Sequence, residues 1–276
     1  MAKLPVSIVI TTKNSEKTIE QCLESAKNNN PDEIILVDGN STDSTLEIAR
    51  RYTSLIFSDG GREYNYAQQL GAEKAANEYI AFVDSDIVLP EGTLAKLLDE
   101  LKEQACVTIS ATVLPVSTAT YWERATDWTA TLLRKRRGVG GLQATIVLKE
   151  VVMKYKLDSS LKGASDLDFV IRLKEAGLKQ GVSSNFVYHH HRTSFSAFVR
   201  QRFRYGWVSA RYVRKYGPFH ARFWPPLVSS YWVCVCIVKG KPQYIPYFIV
   251  DGCAESMGMI KGFYQLAVES IKKRCL

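Results

Sequence analysis

The protein is a chain of 276 residues, 46% hydrophobic and 23% charged, which excludes a disordered or fibrous protein and suffices for one large or two modest domains. Its net charge of +8 is unevenly distributed, because residues 176–250 contain eleven Lys and Arg residues and no Asp or Glu, whereas residues 1–175 are slightly acidic. A uniformly basic coat and a small DNA-reading module are therefore excluded, and the acid-free block predicts a surface that meets phosphate groups of nucleotides or lipids.

The first part of the chain alternates short apolar runs with helical patterns. Strands are predicted at 6–11, 33–37, 55–57, 79–83 and 106–113, and helices at 17–27, 44–52, 66–76 and 93–104. This alternation is typical of an α/β fold with a mostly parallel sheet flanked by helices. Because ligands of such sheets bind beyond the carboxyl ends of the strands, the residues that follow each strand are the functional candidates.

Polar clusters follow three of these strands, at Thr11–Glu16, Asp38–Asp43 and Asp84–Asp86. One such cluster is often only a helix N-cap, but three at one sheet edge indicate a polar site. Asp84 and Asp86 are the most specific pair, since carboxylates this close repel each other unless a cation lies beside them. Mg²⁺ or Mn²⁺ would take these carboxylates together with diphosphate oxygens, and a pair of solvated turn aspartates is the alternative.

Three runs of the sequence, VSIVITTKNSEKTIEQCLES, EIILVDGNSTDST and EYIAFVDSDIVLP, resemble family 2 glycosyltransferases of the GT-A fold over about residues 5–190. The resemblance implies a GT-A Rossmann-like sheet, a UDP- or GDP-sugar donor, a divalent metal (Mg²⁺ or Mn²⁺) and an inverting single displacement. It implies that Asp84 and Asp86 hold the metal. The residues implied to bind the nucleotide sugar are Thr11, Thr12, Asn14, Glu16, Asp38, Arg62, Asp84 and Ser85. The chain departs from many members at Gly39, where they have a second acid.

A second acidic cluster, Ser165-Asp166-Leu167-Asp168, resembles the family's Glu-Asp-x-Asp element, with Ser165 in place of the usual Glu. The resemblance implies that Asp166 is the catalytic base. A carboxylate at a helix N-terminus is stabilised in its charged form and can accept the proton of an incoming hydroxyl. Capping of the helix is the alternative, and a phosphate acceptor would need no base. Residues 138–143 match the family's acceptor-side loop more loosely.

Three consecutive histidines, His189 to His191, follow a late strand, where family members often have an H-x-H pattern. A neutral imidazole can supply a further metal ligand. His189 and His191 project to the same side of an extended chain, so one of them is predicted to bind the metal and His190 to point away. A polar turn without a metal is the alternative.

The helix predicted at 194–216 carries Gln201-Arg202-Phe203-Arg204-Tyr205, which is similar to the Gln-x-x-Arg-Trp element of membrane-bound polysaccharide synthases. The resemblance implies that Gln201, Arg202 and Arg204 contact the diphosphate or an acceptor phosphate. Tyr205 stands where Trp is usual, which leaves a processive role open. Basic residues interleaved with aromatics also occur in nucleic-acid-binding proteins, but no RNA-binding motif is present and no nucleic acid is expected as a partner.

The C-terminal region has short apolar runs at 227–238 and 244–250 and a mild helical pattern at 254–268. These are core helices or interfacial elements on an anionic membrane, since no apolar stretch reaches the ~18 residues of a membrane-spanning helix. The expected division is a GT-A domain of residues 1–193 and a basic, partly hydrophobic helical extension of residues 194–276.

The expected location follows from the cysteines and the N-terminus. The six cysteines lack a metal-binding or disulfide spacing and indicate free thiols in a reducing compartment, and no signal peptide is recognised. The sequence thus predicts an inverting hexosyltransferase with a glycan or lipid-linked acceptor, peripheral on the cytoplasmic face of a membrane. A polyprenyl-phosphate acceptor and a non-catalytic scaffold that binds sugar nucleotides or membrane are the alternatives.

Overall fold

The structure is a computed structural model that describes residues 3–134, 141–163, 165–217 and 225–274. It has two compact units, the first made of Met1–Val116 and Ala130–His190, the second of Ser117–Thr129 and His191–Leu276. The division expected from the sequence differs at residues 191–193 and in one longer segment, residues 117–129, all of which it assigned to the first domain. This segment belongs to the second unit because its aromatic side chains pack there: the rings of Trp122 and Phe198 stack with centroids 4.8 Å apart.

The secondary structure follows the predicted alternation through the first unit. The strands are β1 Leu4–Thr12, β2 Pro31–Asp38, β3 Leu55–Ser58, β4 Tyr79–Asp84, β5 Ile87–Val88, β6 Thr108–Pro115, β7 Ala144–Leu148 and β8 Gln180–His189. The helices are α1 Ile19–Asn28, α2 Thr45–Ala49, α3 Tyr64–Lys74, α4 Thr93–Glu103, α5 Tyr121–Arg134, α6 Lys149–Tyr155, α7 Ser165–Glu175, α8 Phe195–Tyr216, α9 Pro225–Val238 and α10 Ile245–Arg274. Of the other strands, β7 and the two-residue β5 were not predicted from the sequence, and β8 corresponds to the late strand expected before the histidines, given without bounds.

The strands of the described residues form a single sheet in the order β3-β2-β1-β4-β7-β6-β8-β5. β3, β2, β1 and β4 are parallel, β7 is antiparallel to both β4 and β6, and β6 and β8 are parallel. The order 3-2-1-4 of the parallel part is that of half a Rossmann fold. The predicted α/β sheet flanked by helices is therefore confirmed.

Both faces of the central strands are buried, which explains why their sequences are almost continuously apolar. On one face Ile8 and Ile10 of β1 pack in a core with Leu23 of α1 and Leu97 of α4. On the other face Val9 packs in a core that includes side chains of α3, α6 and α7. The carboxyl ends of these strands carry polar residues, namely Thr11 and Thr12 of β1, Asp38 of β2 and Asp84 of β4, so the core holds these side chains at one edge of the sheet.

The second unit is built around α8 and α10. Ser194 caps α8, its hydroxyl accepting a hydrogen bond from the Ala197 amide at 3.3 Å. The predicted separate segments at 244–250 and 254–268 are in fact parts of one helix, α10, of 30 residues. Glycines let α10 pack closely against its neighbours, because a Cβ on Gly258 would lie 1.9 Å from the carbonyl oxygen of Phe203. Among the described residues, no helix has both the length and the apolar character needed to cross a membrane.

Candidate active site

The segments that follow β1, β2 and β4 meet at one edge of the sheet. Strand register places Thr11 opposite Asp84, and Thr12 opposite Asp38. The hydroxyl of Ser85 lies 2.9 Å from that of Ser15 in the loop after β1. The three polar clusters of the sequence therefore face one another, as expected for parallel strands that end at the same level.

The loops after β1 and β2 are tied together by the residues predicted to bind the nucleotide. Asp38 accepts hydrogen bonds from the amide and hydroxyl of Ser41, at 3.0 and 2.6 Å. The Asn14 side-chain oxygen accepts a hydrogen bond from the Thr42 backbone amide at 2.8 Å, and the Asn14 backbone amide donates to the Ser41 hydroxyl at 2.9 Å. Glu16 accepts one from a backbone amide of the second loop at 3.3 Å. These side chains thus shape the pocket wall, and their direct contact with a nucleotide stays a prediction.

Asp84 is half-buried and hydrogen-bonded. Its carboxylate accepts a short hydrogen bond from the Tyr64 hydroxyl, which in turn accepts one from Nε2 of Gln68 at 2.9 Å. The Cys22 thiol lies beneath it and donates to the Asp84 carbonyl at 3.4 Å. Burial, and then repulsion by Asp86, raise the pKa of Asp84 to about 7. The chain from Gln68 through Tyr64 therefore fixes the orientation of the Asp84 carboxylate.

Asp86 is paired with His189 by the short antiparallel contact of β5 and β8. Ile87 lies opposite His189 in this pairing, and the Asp86 carbonyl accepts a hydrogen bond from the His190 amide at 2.9 Å. This brings Nε2 of His189 to 3.2 Å from Oδ1 of Asp86, with less than a fifth of either side chain exposed. An imidazole nitrogen and a carboxylate oxygen thus converge on one point.

The imidazole nitrogen of His189 and the carboxylate oxygen of Asp86 are suitable ligands for a divalent cation that also binds phosphate. Among the described residues, no group of three or more His, Cys, Asp or Glu side chains is arranged to hold a metal. Mg²⁺, however, is commonly bound through one or two carboxylates plus substrate phosphates rather than by a complete protein cage. Asp86 and His189 match that smaller set, and Asp84 is two residues from Asp86 in the chain.

The other two histidines have different neighbours. His190 points to α1, where its Nε2 lies 2.9 Å from Oε1 of Gln21. His191 falls in the second unit, and there its charge acts on Glu123. Burial raises the pKa of Glu123, but hydrogen bonds from Thr120 and the charge of His191 outweigh burial and lower it. Of the two histidines predicted as metal ligands, His189 contacts Asp86, and a metal contact of His191 stays a prediction.

Asp166 lies at the start of α7 and belongs to the same site. Its Oδ1 accepts a hydrogen bond from the Leu167 amide at 2.8 Å. Its Oδ2 occupies the space beside Gly141, where an added Cβ would lie only 2.1 Å away. Burial is the main cause of the raised pKa values of Tyr64 and Asp84, and the charge of Asp166 adds to both, which places it near them. Gly138–Gly140 of the predicted acceptor loop lie outside the described residues.

The arginines predicted to contact phosphate have different surroundings. Arg62 is exposed, with its guanidinium carbon 4.3 Å from the ring centroid of Tyr66. Arg202 is largely buried within the second unit, where its guanidinium lies 3.1 Å from Asp251 and donates to the Tyr247 hydroxyl at 2.7 Å. Glu255 lies 3.8 Å from the same guanidinium. Arg202 is thus engaged by carboxylates, and we propose no phosphate contact for it.

Two neighbours of Arg202 remain candidates for phosphate. The side chain of Arg204 is exposed and that of Gln201 is half-buried. Their contact with a diphosphate or an acceptor stays a prediction.

Sequence reasoning missed Tyr64 as a functional residue, and it assigned no individual role to Gln68 or to Gly141 of the predicted acceptor-side loop. Tyr64 and Gln68 are four positions apart and so share one face of α3, a spacing that allows their side chains to meet. This spacing was the available signal for the pair. The loop match did not show what Gly141 does, because its role arises from Asp166, which is distant in sequence.

Comparison with known proteins identifies the family. The family model "Glycosyl transferase family 2" matches residues 7–149, and the model "Glycosyl transferase family group 2" matches residues 79–250. The chain belongs to glycosyl transferase family 2. The family 2 protein is therefore an enzyme of the glycosyltransferase type, as the resemblance implied.

Several relatives are sugar transferases. The enzyme is 22% identical over 271 residues to the dolichyl N-acetyl-alpha-D-glucosaminyl phosphate 3-beta-D-2,3-diacetamido-2,3-dideoxy-beta-D-glucuronosyltransferase of Methanococcus voltae, covering 85% of this chain and 82% of that protein. It is 33% identical over 102 residues to the low-salt glycan biosynthesis hexosyltransferase Agl6 of Haloferax volcanii. That match covers 35% of this chain but only 24% of Agl6, so it extends over about a quarter of that relative.

Solved structures show the same GT-A fold. Glucosyl-3-phosphoglycerate synthase from Mycobacterium tuberculosis, in complex with Mn²⁺, UDP-glucose and phosphoglyceric acid, matches with a TM-score of 0.53 and 18% identity, covering 76% of this chain and 78% of that one. Residues 1–349 of S. aureus TarS match with a TM-score of 0.53 and 15% identity, covering 95% and 92%. At these identities the likeness establishes the fold alone.

Proposed function

We propose that this family 2 enzyme transfers a hexose from a UDP- or GDP-sugar to a hydroxyl of a glycan or lipid-linked acceptor, with inversion at the anomeric carbon. The observation that carries the proposal is the meeting of Asp84, Asp86, His189 and Asp166 at the sheet edge where α/β folds bind nucleotides. The complex of the M. tuberculosis relative with Mn²⁺ and UDP-glucose supports the donor class.

Asp86 and His189, with Asp84 beside them, would hold Mg²⁺ or Mn²⁺. Such an ion, when bound, neutralises negative charge on the departing diphosphate. The loop residues Thr11, Thr12, Asn14, Glu16, Asp38 and Ser85 would surround the nucleotide. The hydroxyl of Thr12 is buried and has no hydrogen-bond partner among the described residues, so it is free to bond a donor group. Arg62, exposed beside this region, would meet the diphosphate.

Asp166 would act on the acceptor. Its carboxylate takes the proton of the acceptor hydroxyl while the hydroxyl oxygen attacks the anomeric carbon on the side opposite the diphosphate. The new carbon–oxygen bond forms as the bond from that carbon to the phosphate oxygen breaks. The nucleoside diphosphate leaves with the electron pair, and the anomeric configuration is inverted.

The substitution Asp166→Asn tests this role. Removing a general base costs about a hundred-fold or more in rate, so sugar transfer to a hydroxyl acceptor should fall by that factor. Binding of the nucleotide sugar, followed by thermal shift, should stay unchanged. The control is Asp99→Asn, at an exposed position on α4. Transfer by Asp166→Asn at the wild-type rate would show that Asp166 is not the base.

The donor and the metal are tested together by a thermal-shift screen of UDP-, GDP- and dTDP-sugars with Mn²⁺ or Mg²⁺. One nucleotide class should raise the melting temperature, because a ligand that binds only the folded state stabilises it. The substitution Asp86→Asn should remove the part of this rise that depends on the metal. If no nucleotide sugar stabilises the protein with either metal, the proposed donor class is wrong.

A phosphate acceptor, such as a polyprenyl phosphate, is the second candidate, favoured by the exposed basic side chains of the second unit, among them Arg200, Arg204 and Arg214. A phosphate is already an anion and needs no base, so Asp166→Asn would then retain transfer to phosphate. The product would be labile in mild acid, because its sugar is linked through phosphate. Either acceptor agrees with a peripheral position on the cytoplasmic face of an anionic membrane.

A further inference from the structure

Helix α10 carries an apolar stripe that faces solvent along most of its length. Ile260 and Tyr264 are each 70% exposed, and Met257 is 63% exposed. The exposed positions follow one another at intervals of three or four residues, which places them on one side of the helix. The stripe consists of Ile249, Cys253, Met257, Ile260, Tyr264, Ala267 and Ile271.

Helix α9 extends this apolar surface. The two helices touch closely, since a Cβ on Gly252 of α10 would lie 2.3 Å from the Ser229 hydroxyl of α9. The exposed apolar side chains of α9 include Leu227, Tyr231, Ile237 and Val238. We call the exposed apolar side chains of both helices the α9–α10 face. Exposed apolar surface that spans two helices is typical of an interaction site rather than of ordinary surface.

The charges around the α9–α10 face are sorted by sign. Asp251 and Glu255 of α10 point inward to Arg202 of α8, and Glu269 lies 3.3 Å from Arg211. Among the described side chains of residues 225–272, the remaining charged groups are exposed lysines: Lys239, Lys241, Lys261 and Lys272. The α9–α10 face is therefore apolar with a positive border, because the acidic side chains of α10 pair with arginines of α8.

We propose that the α9–α10 face lies in the headgroup region of an anionic bilayer, with α10 parallel to the membrane plane. A helix that is apolar on one side and has lysines beside its apolar side buries that side at the boundary between headgroups and acyl chains. The lysines then meet anionic headgroups. A second copy of the chain fits less well, because pairing two identical faces would bring lysines against lysines. The inference rests on the peripheral membrane position included in the proposed function, and it assigns the surface responsible.

The first test is co-sedimentation of the full chain with vesicles of phosphatidylcholine mixed with phosphatidylglycerol. The double variant Ile260→Ser with Tyr264→Ser should lose about ten-fold or more in affinity for the vesicles, because two large apolar side chains no longer insert. Both residues are exposed, so folding is unaffected, and a melting curve checks this. The matched control is Val182→Ser, at an exposed apolar residue of β8 in the first unit, which should bind like the wild type.

The second test addresses the positive border. The double variant Lys261→Glu with Lys272→Glu should lose about ten-fold or more in affinity for the same vesicles, and raised salt should weaken the wild type in parallel. The control is Lys96→Glu, on the exposed side of α4, which should leave binding unchanged. Binding of equal strength to vesicles of phosphatidylcholine alone would overturn the electrostatic part of the proposal.

A probe on the face itself gives a direct reading. Cys253 is exposed within the stripe. In the double variant Cys234→Ser with Cys275→Ser, the emission of an environment-sensitive fluorophore on Cys253 should shift to shorter wavelength when the anionic vesicles are added. In the control, Cys253→Ser and Lys96→Cys are added to that variant, and the emission of the same fluorophore at position 96 should not shift.

Two results would overturn the proposal. One is the absence of binding to anionic vesicles. The other is a concentration-dependent dimer that the Ile260→Ser, Tyr264→Ser variant abolishes, which would assign the face to a second copy of the chain. Neither result depends on catalysis, because vesicle binding is measured without donor or acceptor. Failure of the proposed function would instead appear as loss of the nucleotide-sugar thermal shift.

Discussion

At the scale of single residues, the site depends on side chains that hold the carboxylates as well as on the carboxylates themselves. Tyr64 donates a hydrogen bond to Asp84, and Gln68 donates to Tyr64. Gly141 leaves the space that Oδ2 of Asp166 occupies. Each of these residues acts on the chemistry through its aspartate, so each is a positioning residue.

Replacing Tyr64 with Phe should weaken metal binding while leaving the fold intact. A hydrogen bond to a charged group contributes about 2 kcal/mol, so the affinity for Mn²⁺ in the presence of nucleotide should fall about ten-fold or more. Calorimetry measures this affinity, and nucleotide binding without metal should not change. Tyr79→Phe, at the other end of β4, is the control. An unchanged Mn²⁺ affinity in Tyr64→Phe would show that the hydroxyl does not position Asp84.

Replacing Gly141 with Ala should displace Asp166. The added Cβ would lie 2.1 Å from Oδ2, so the carboxylate must move away from it. A misplacement of about 1 Å in a catalytic group costs about a hundred-fold in transfer rate. The control is the same substitution in the Asp166→Asn background, where it should cost little more if Gly141 acts only through Asp166. Additive losses in this double-mutant cycle would contradict the interpretation.

At the scale of secondary-structure elements, close contacts between helices depend on glycine. Gly258 and Gly262 of α10 lie against the backbone of α8, and Gly206 of α8 lies against the backbone of α10 at Glu255. Only a residue without a side chain allows backbones to approach so closely. The contact brings Asp251 and Glu255 to Arg202, so the glycines also determine where the charges of α10 point.

Replacing Gly258 with Ala should destabilise the second unit. The new Cβ would meet the Phe203 carbonyl oxygen at 1.9 Å, and a backbone atom cannot move aside as a flexible side chain can. Overpacking of this kind costs about 2 kcal/mol or more, measurable by urea unfolding. Met257→Ala, at the exposed neighbouring position, should change the stability by no more than about 0.5 kcal/mol. A Gly258→Ala protein as stable as the wild type would contradict the helix contact.

At the scale of the whole molecule, the net charge of +8 conceals an internal pairing of charges. The acids of α10 neutralise arginines of α8 and leave lysines at the surface. Two carboxylates, Asp251 and Glu255, share Arg202. Burial, and then repulsion by Asp251, raise the pKa of Glu255 to about 7, although Arg202 opposes this shift.

This raised pKa gives a prediction for the pH dependence of stability. Between the ordinary value of 4.5 and about 7, the folded state holds a proton on Glu255 that the unfolded state loses, so stability falls as the pH rises through this window. Glu255→Gln removes the ionisation. Its stability relative to the wild type should therefore rise across the window, and at pH values above about 7 the difference should reach about 3 kcal/mol. Chemical unfolding over a pH series measures this, and Glu103→Gln, exposed on α4, should show no such rise.

The sequence by itself determined the order of elements through the first unit and the polar clusters after β1, β2 and β4. These features are local, because an apolar run bounded by polar residues already predicts a buried strand and its functional end. The aspartates Asp84 and Asp86 were found in the same way, whereas Asp166 was found through the resemblance of its acidic cluster to a family element.

Only the tertiary structure decided which of the predicted residues come together. Neighbouring histidines in one tripeptide differ in partner because β5 pairs with β8 at His189. Arg202 has carboxylate partners because glycines let α10 approach α8, and residues 117–129 join the second unit through contacts of Trp122. The physical reason is common to all three cases: each contact joins residues far apart in sequence, and its free energy depends on packing that no local pattern records.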